Sequence, residues 1–278
     1  MKRTAILSLI VFAGCIMPAC INAAKPIQAS KNYISKVLPA PGEIEVIELI
    51  GSPDIDYYVS EDGATALSVY GSDNVLDLLE VTVSGKKLTV KYRDGVNGTN
   101  NGMASEQERV NIQGNPKLKV TVVASGELRS ATVTGSGDVE LKGSISGKEL
   151  RVAVAGSGDI EAERLEYETI TAEVIGSGDI SLKWIEATRV TATVKGSGDV
   201  ESAGRTIEAQ YSVTGSGDVD AERLEADQVK ATLSGSGDIK CWVNTVLNAT
   251  VFGSGAVRYK GDPGTVETSS SKGSVRPM

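Results

Sequence analysis

Residues 171–200 read TAEVIGSGDISLKWIEATRVTATVKGSGDV, one repeat unit and the opening of the next. The tetrapeptide Gly176-Ser177-Gly178-Asp179 returns as Gly196-Ser197-Gly198-Asp199. Around it apolar residues fall at every second position: Ala172 and Val174 before the first copy, Ile180 and Leu182 after it. A period of two with one apolar and one polar side is the pattern of a strand with one buried face.

The unit extends in both directions. The same four residues begin at Gly135, Gly156, Gly215 and Gly235, and Gly253-Ser254-Gly255-Ala256 lacks only the acid. Successive intervals are 21, 20, 20, 19, 20 and 18 residues. Two positions before the first glycine stand Val133, Val154, Val174, Val194, Val213, Leu233 and Val251, and two further back Ala131, Val152, Ala172, Ala192, Tyr211, Ala231 and Ala249. One position after the acid comes a second aliphatic column, Val139, Ile160, Ile180, Val200, Val219, Ile239 and Val257. These columns predict two short strands per unit, with a third, less regular segment around Leu165, Ile185 or Leu224. Degenerate copies at Gly51-Ser52-Pro53-Asp54 and Gly71-Ser72-Asp73-Asn74 predict that the architecture starts earlier.

A twenty-residue unit of this kind buries its apolar side only against its neighbours, stacked about 4.8 Å apart. The predicted fold is all-β, a parallel β-helix with turns of about twenty residues. Propeller blades need roughly twice that period, and helical spacing is absent. Glycine supplies positive φ at corners without a Cβ clash, and serine and aspartate there can accept hydrogen bonds from corner amides.

The flanks are less regular. Residues 25–113 read as wider first turns that shield one end of the stack, with residues 114–278 as the regular part. Within the first region, Ser84-Gly85-Lys86-Lys87 reads as a hairpin connection and residues 94–102 as a loop. The polar residues 264–278 are expected to cover the far end.

Lys2 and Arg3, the apolar run over residues 5–13 and the small residues that follow are the three parts of an export signal, assigned to residues 1–24. The run is too short to span a bilayer. Cleavage near Ala24 and lipid attachment at a cysteine both fit, with Cys20 favoured over Cys15 as the anchor. The expected location is the cell surface, the outer membrane or the periplasm and medium. Two of the 3 cysteines lie in the signal, so no disulfide framework is expected and Cys241 reads as a small buried residue. The net charge of −8 disfavours nucleic acid, and the 0 histidines remove the commonest general base and metal ligand.

The recurrent Gly-Ser-Gly-Asp before Val or Ile, the export signal, and the ending Tyr259-Lys260-Gly261-Asp262-Pro263 with Lys272-Gly273-Ser274-Val275 resemble the head GIN domain family, described as auto-transporter adhesins of Gram-negative bacteria. The resemblance implies a right-handed β-helix and an adhesive surface role. The sequence departs from the family name in showing no translocator barrel.

The acids Asp138, Asp159, Asp179, Asp199, Asp218 and Asp238 would form a row at one edge of such a stack. Two readings apply: corner-capping groups, or a calcium-binding column. The nine-residue calcium roll does not match. Repeat symmetry argues against paired catalytic carboxyls, which need unlike environments, so no catalytic residue or cofactor is assigned. Outward threonines such as Thr132, Thr134, Thr191 and Thr193 are interrupted by Arg151, Glu173, Lys195 and Lys230, which breaks any ice-binding ladder. Trp184, Trp242 and Tyr211 read as packing groups rather than a sugar platform. The function expected is non-catalytic binding of an extracellular glycan or protein through a solenoid face, with a carbohydrate-active enzyme or an envelope protein without a ligand as the alternatives.

Overall fold

In the computed structural model, which describes residues 25–60, 62–96 and 110–278, valine lies over valine. Val133 pairs in parallel with Val154, and the column continues through Val174, Val194, Val213, Leu233 and Val251. The second column is equally regular from Val139 to Val257. Both point into a single continuous core, so the chain is a β-solenoid.

The units differ from the expected two or three short strands. Val139–Gly156, Ile160–Gly176, Ile180–Gly196, Val200–Gly215, Val219–Gly235 and Ile239–Gly253 are each one long strand, broken only at Gly-Ser-Gly-Asp. Pairing with the neighbouring coil carries on through the bends, because residues such as Leu165 and Ile185 stay in register there.

Register shifts lie away from the tetrapeptide. The 21-residue interval is absorbed between Leu141 and Ser144, where Gly143 takes φ 80°. The 19-residue interval is absorbed where Leu182 to Ile185 face only Ser202 to Gly204. The 18-residue interval is absorbed beyond Ala221 and Ala226. These stretches tolerate changes in length, and the tetrapeptide corner has no shift.

The copy at Gly51 is a true coil: Gly51 pairs with Gly135 and Ile55 with Val139. One more parallel layer follows, Lys87–Tyr92 on Val46–Gly51 and Lys119–Ala124 on Asp54–Val59. Pairing then reverses. Leu79–Ser84 runs antiparallel to Lys87–Tyr92, Ala66–Ser72 to Lys119–Ala124, and Tyr33–Leu38 to Ala66–Ser72. The copy at Gly71 is therefore not a coil. Its Ser72 is tied instead to Pro116, whose carbonyl accepts the Ser72 N–H at 2.9 Å. The expected hairpin is present, with Ser84 opposite Lys87 and Gly85 at φ 61°. Of the loop at 94–102, residues 97–102 lie outside the described residues, as do the export signal, Cys15 and Cys20. No helix of the described residues is long and apolar enough to cross a membrane.

The C-terminal residues cover the far end as one more turn. Thr265–Ser270 and Ser274–Pro277 pair in parallel with Ile239–Gly253 and Ala256–Lys260, adding the final turn. Over Leu247, Ala249 and Val251 this turn places Val266, Thr268 and Ser270, so two of the three columns end in hydroxyls. A polar outer face is what a terminal repeat requires.

One coil packs differently. Tyr211 stands in the alanine column between Ala192 and Ala231, fully buried. Around it the same coil carries Ser202 opposite Leu182, Gly204 opposite Ile185 and Ala209 opposite Val190. One large ring in a coil with three smaller residues is the exchange of volume that close packing would require.

Candidate functional site: an aspartate ladder beside a groove

The tetrapeptide corner is built from backbone contacts. The first glycine of each copy has φ between 128° and 148°, in the region that disfavours side chains. The second has ordinary φ but sits under the preceding coil, where a Cβ on Gly198 would overlap the carbonyl oxygen of Gly178. Between them the serine contributes its backbone N–H, which donates to the first glycine of the coil below, as Ser177 does to Gly156 at 2.8 Å.

The aspartates form a ladder. Oδ1 of Asp138 accepts the backbone N–H of Asp159 at 2.9 Å, and Asp159, Asp179, Asp199 and Asp218 each accept from the next aspartate at 2.7–2.8 Å. The row starts at Asp54, which accepts from Asp138 at 3.3 Å, and ends where Asp238 accepts the N–H of Ala256 at 2.8 Å. Loss of the acid at position 256 thus ends the ladder without leaving an amide unpaired. The structure brings all six named aspartates into one row, and each has one oxygen committed to an amide. Among the described residues there is no group of three or more acidic, cysteine or histidine side chains able to hold a metal.

Stacked carboxylates repel, and two of the row are also partly desolvated. The Asp199 carboxyl is held above its usual range, chiefly by burial and then by Asp218 and Asp179, against the lowering effect of the Asp218 N–H. Asp54 is raised in the same way, with Asp138 as the nearest like charge. At the far end Arg258 lies 3.1 Å from Asp238.

A raised carboxyl pKa favours the neutral form in the fold, so this contribution is present below the unfolded value and is lost as pH rises through the folded one. Asn at 199 keeps an oxygen acceptor without the charge. Asp199→Asn is expected to raise Tm by about 1–2 °C at pH 7, the difference closing as the pH falls below about 4, whereas Asp199→Ala loses about 1 kcal/mol with the hydrogen bond. Calorimetry of both variants from pH 3 to pH 8 checks this. A lower Tm for the Asn variant at pH 7 would show that the charge itself holds the corner.

Beside the ladder runs an open groove of about 500 Å³ that crosses five coils, edged by Asp159 to Asp238 and floored by the backbone at Ile160, Ile180, Val200 and Val219, whose side chains point into the core. On its other edge stand Glu161, Ser181, Glu201, Asp220 and Lys240. Most of these are paired sideways: Glu161 with Lys183, Glu201 with Arg223, and Asp220 with Lys240 at 2.9 Å. The ladder oxygens keep most of the groove's unneutralised charge.

The other named residues are dispersed. Tyr211 is interior, Trp184 is half exposed, and Trp242 carries Lys260 Nζ at 4.4 Å from its ring centroid, so the three share no platform. Cys241 is fully buried, and burial pushes its thiol up to about 12. Arg151 and Lys195 both pair with Glu173 across the interrupted threonine ladder.

Comparison with known proteins gives one family. The model of the family described as "putative auto-transporter adhesin, head GIN domain" matches residues 47–183 and 163–263. A solved structure from Parabacteroides distasonis, titled "putative lipid binding protein", is 26% identical over 91% of this chain and 100% of its own, with TM-score 0.79. A "putative adhesin" from Bacteroides fragilis is 25% identical over 91% and 100%, with TM-score 0.63. A third, from Parabacteroides merdae, shares the fold at 20% identity and TM-score 0.79, covering 92% of this chain and 100% of its own. No curated protein matches.

Proposed function

The chain belongs to the family described as "putative auto-transporter adhesin, head GIN domain", and from that premise we propose that it is an exported, non-catalytic module that binds an extracellular glycan or protein along the face bearing the groove. The observation that carries the reading is the groove itself, which repeats the same aspartate edge over five coils. Repetition lets many weak contacts add up along an extended ligand. The same repetition speaks against turnover. Glycoside hydrolysis needs two carboxyls in unlike environments, and each internal ladder aspartate accepts the same bond from the same kind of partner.

The test is a panel of surface glycans and matrix proteins, read for both binding and cleavage. Retention of at least one class without products, weakened by Asp179→Asn/Asp199→Asn with no fall in Tm, supports the module. Cleavage products would move the chain to the carbohydrate-active enzymes, and silence on the whole panel would leave an envelope protein without a ligand.

A lipid tether at Cys20 belongs to the same proposal, and mass spectrometry of the mature N-terminus separates it from cleavage at Ala24. A second reading draws on the Parabacteroides distasonis structure, whose title names lipid binding. The interior of this chain is filled by its own columns, so lipid would meet it at the surface.

A further inference from the structure

The antiparallel end of the solenoid carries an outward face unlike the rest. Tyr33, Ser35 and Val37 alternate to the side on which Tyr70 and Ser68 face them. Tyr33 and Tyr70 stack with ring centroids 5.9 Å apart at 25°. Val37 is 84% exposed and Tyr70 41%. Lys117 closes the stack from the other side, its Nζ 5.1 Å from the Tyr33 centroid.

Lys117 is held there by its backbone. At φ 49° it is the one non-glycine residue with positive φ among the described residues. Asn115 Oδ1 accepts its N–H at 2.9 Å, and the Pro116 carbonyl before it accepts the Ser72 N–H. Such a conformation is costly and persists only where its surroundings impose it.

Charge sets this end apart as well. Along the coils most lysines and arginines face a carboxylate, as Arg189 faces Glu208 and Lys195 faces Glu173. Lys25, Lys31 and Lys117 are exposed and have no ion-pair partner among the described residues. Uncompensated cations beside exposed tyrosines, on a chain of net charge −8, fit an anionic, partly apolar partner. Tyrosine and lysine are the residues that settle at a bilayer–water boundary, the ring amphipathic and the amine reaching headgroups.

A tether at Cys20 would enter at this end. Cys20 precedes Lys25 by five residues, a reach of at most about 18 Å. Lys25–Gln28 ends against the patch, where Asn74 Nδ2 donates to the Gln28 carbonyl at 2.9 Å and Ser72 Oγ to that of Ser30 at 2.8 Å. The opposite end also carries Lys272 and Arg276, but two of its three columns close in hydroxyls.

We propose that the face formed by Tyr33, Val37, Tyr70, Lys31 and Lys117 is the membrane-contacting surface of this protein, seating the tyrosines at headgroup level and the lysines on anionic lipid. A single acyl attachment gives marginal binding, so a second contact beside it has a physical purpose. The inference rests on the tether reading only for the choice of partner.

The experiment uses the full chain on vesicles of phosphatidylcholine with and without phosphatidylglycerol, including brominated lipid. Tyr70→Trp, in a chain with Trp184→Phe and Trp242→Phe, reports contact at the patch, and the parent tryptophans report the coils. Quenching at Tyr70→Trp that exceeds the parent several-fold is expected. Binding should require phosphatidylglycerol and fall about tenfold or more in Lys31→Glu/Lys117→Glu, at unchanged Tm and with the parent tryptophans retained. An unquenched Tyr70→Trp, or a charge-reversed variant that binds as the parent does, overturns the proposal. If Cys20→Ser binds anionic vesicles with the same quenching while mass spectrometry finds no lipid on the parent, the tether reading fails and the surface stands.

Discussion

Gly198→Ala is expected to lower the stability of the whole solenoid by about 4 kcal/mol or more, an exceptional loss for one methyl group. The cause is steric. An ideal Cβ at this position overlaps the Gly178 carbonyl oxygen and comes 2.9 Å from Val174 Cγ1 and 3.0 Å from the Gly178 carbonyl carbon. Backbone atoms cannot rotate away as a flexible side chain would. Relief requires the two coils to separate at the corner, which stretches the 2.8 Å bond from Ser197 N–H to Gly176 and the rung from Asp199 N–H to Asp179 Oδ1. At roughly 2–4 °C per kcal/mol for a chain of this size, Tm should fall by about 8–16 °C. Gly143→Ala is the control, with φ 80° but nothing within 4 Å of the added carbon. Only the backbone cost of about 1–2 kcal/mol applies there. Thermal melts of both decide the matter, and equal losses would mean that conformation, not the close approach of coils, fixes the second glycine.

The reason that glycine pattern is so legible also explains what was not. Residues that must superpose in every coil are forced to recur in sequence, so the Val133 and Val139 columns, the corner and the pairing of Gly51 with Gly135 can all be read directly. The general idea of aspartate capping corner amides was legible too. That each cap reaches the next aspartate's own N–H was not, because it depends on the coil spacing and not on residue type. Spelling misled at Gly71-Ser72-Asp73-Asn74, where four suitable residues sit in an antiparallel strand. Nothing local separates the two settings. What could have flagged it is the absence of a matching aliphatic position, since Asn74 is followed by Val75 but the next inward site is Asp77. The membrane-facing patch carries no repeat and was invisible for that reason: Tyr33, Tyr70 and Lys117 come from three distant segments.

Tyr211 marks the other extreme, a departure from the repeat that the fold absorbs, and two substitutions there should act in opposite directions. Its hydroxyl is buried without a hydrogen-bond partner, and burial holds the phenol protonated far above its ordinary range. Tyr211→Phe removes an unsatisfied polar group and keeps the ring, so stability should rise by about 1–3 kcal/mol. Tyr211→Ala restores the residue found at Ala192 and Ala231 yet should cost about 3–5 kcal/mol, since consensus at one column leaves a void in a coil already reduced by Ser202, Gly204 and Ala209. The void cannot be refilled from Gly204, where a Cβ would overlap the Ile185 carbonyl. It can be refilled from Ser202, whose neighbour in register is Leu182 and whose own hydroxyl is also unpartnered. Tyr211→Ala/Ser202→Leu should therefore recover a large part of the loss, a coupling that a double-mutant cycle in denaturant melts measures directly. Additive losses would show that the two side chains do not share one volume, and a destabilised Tyr211→Phe would mean that a buried water serves the hydroxyl.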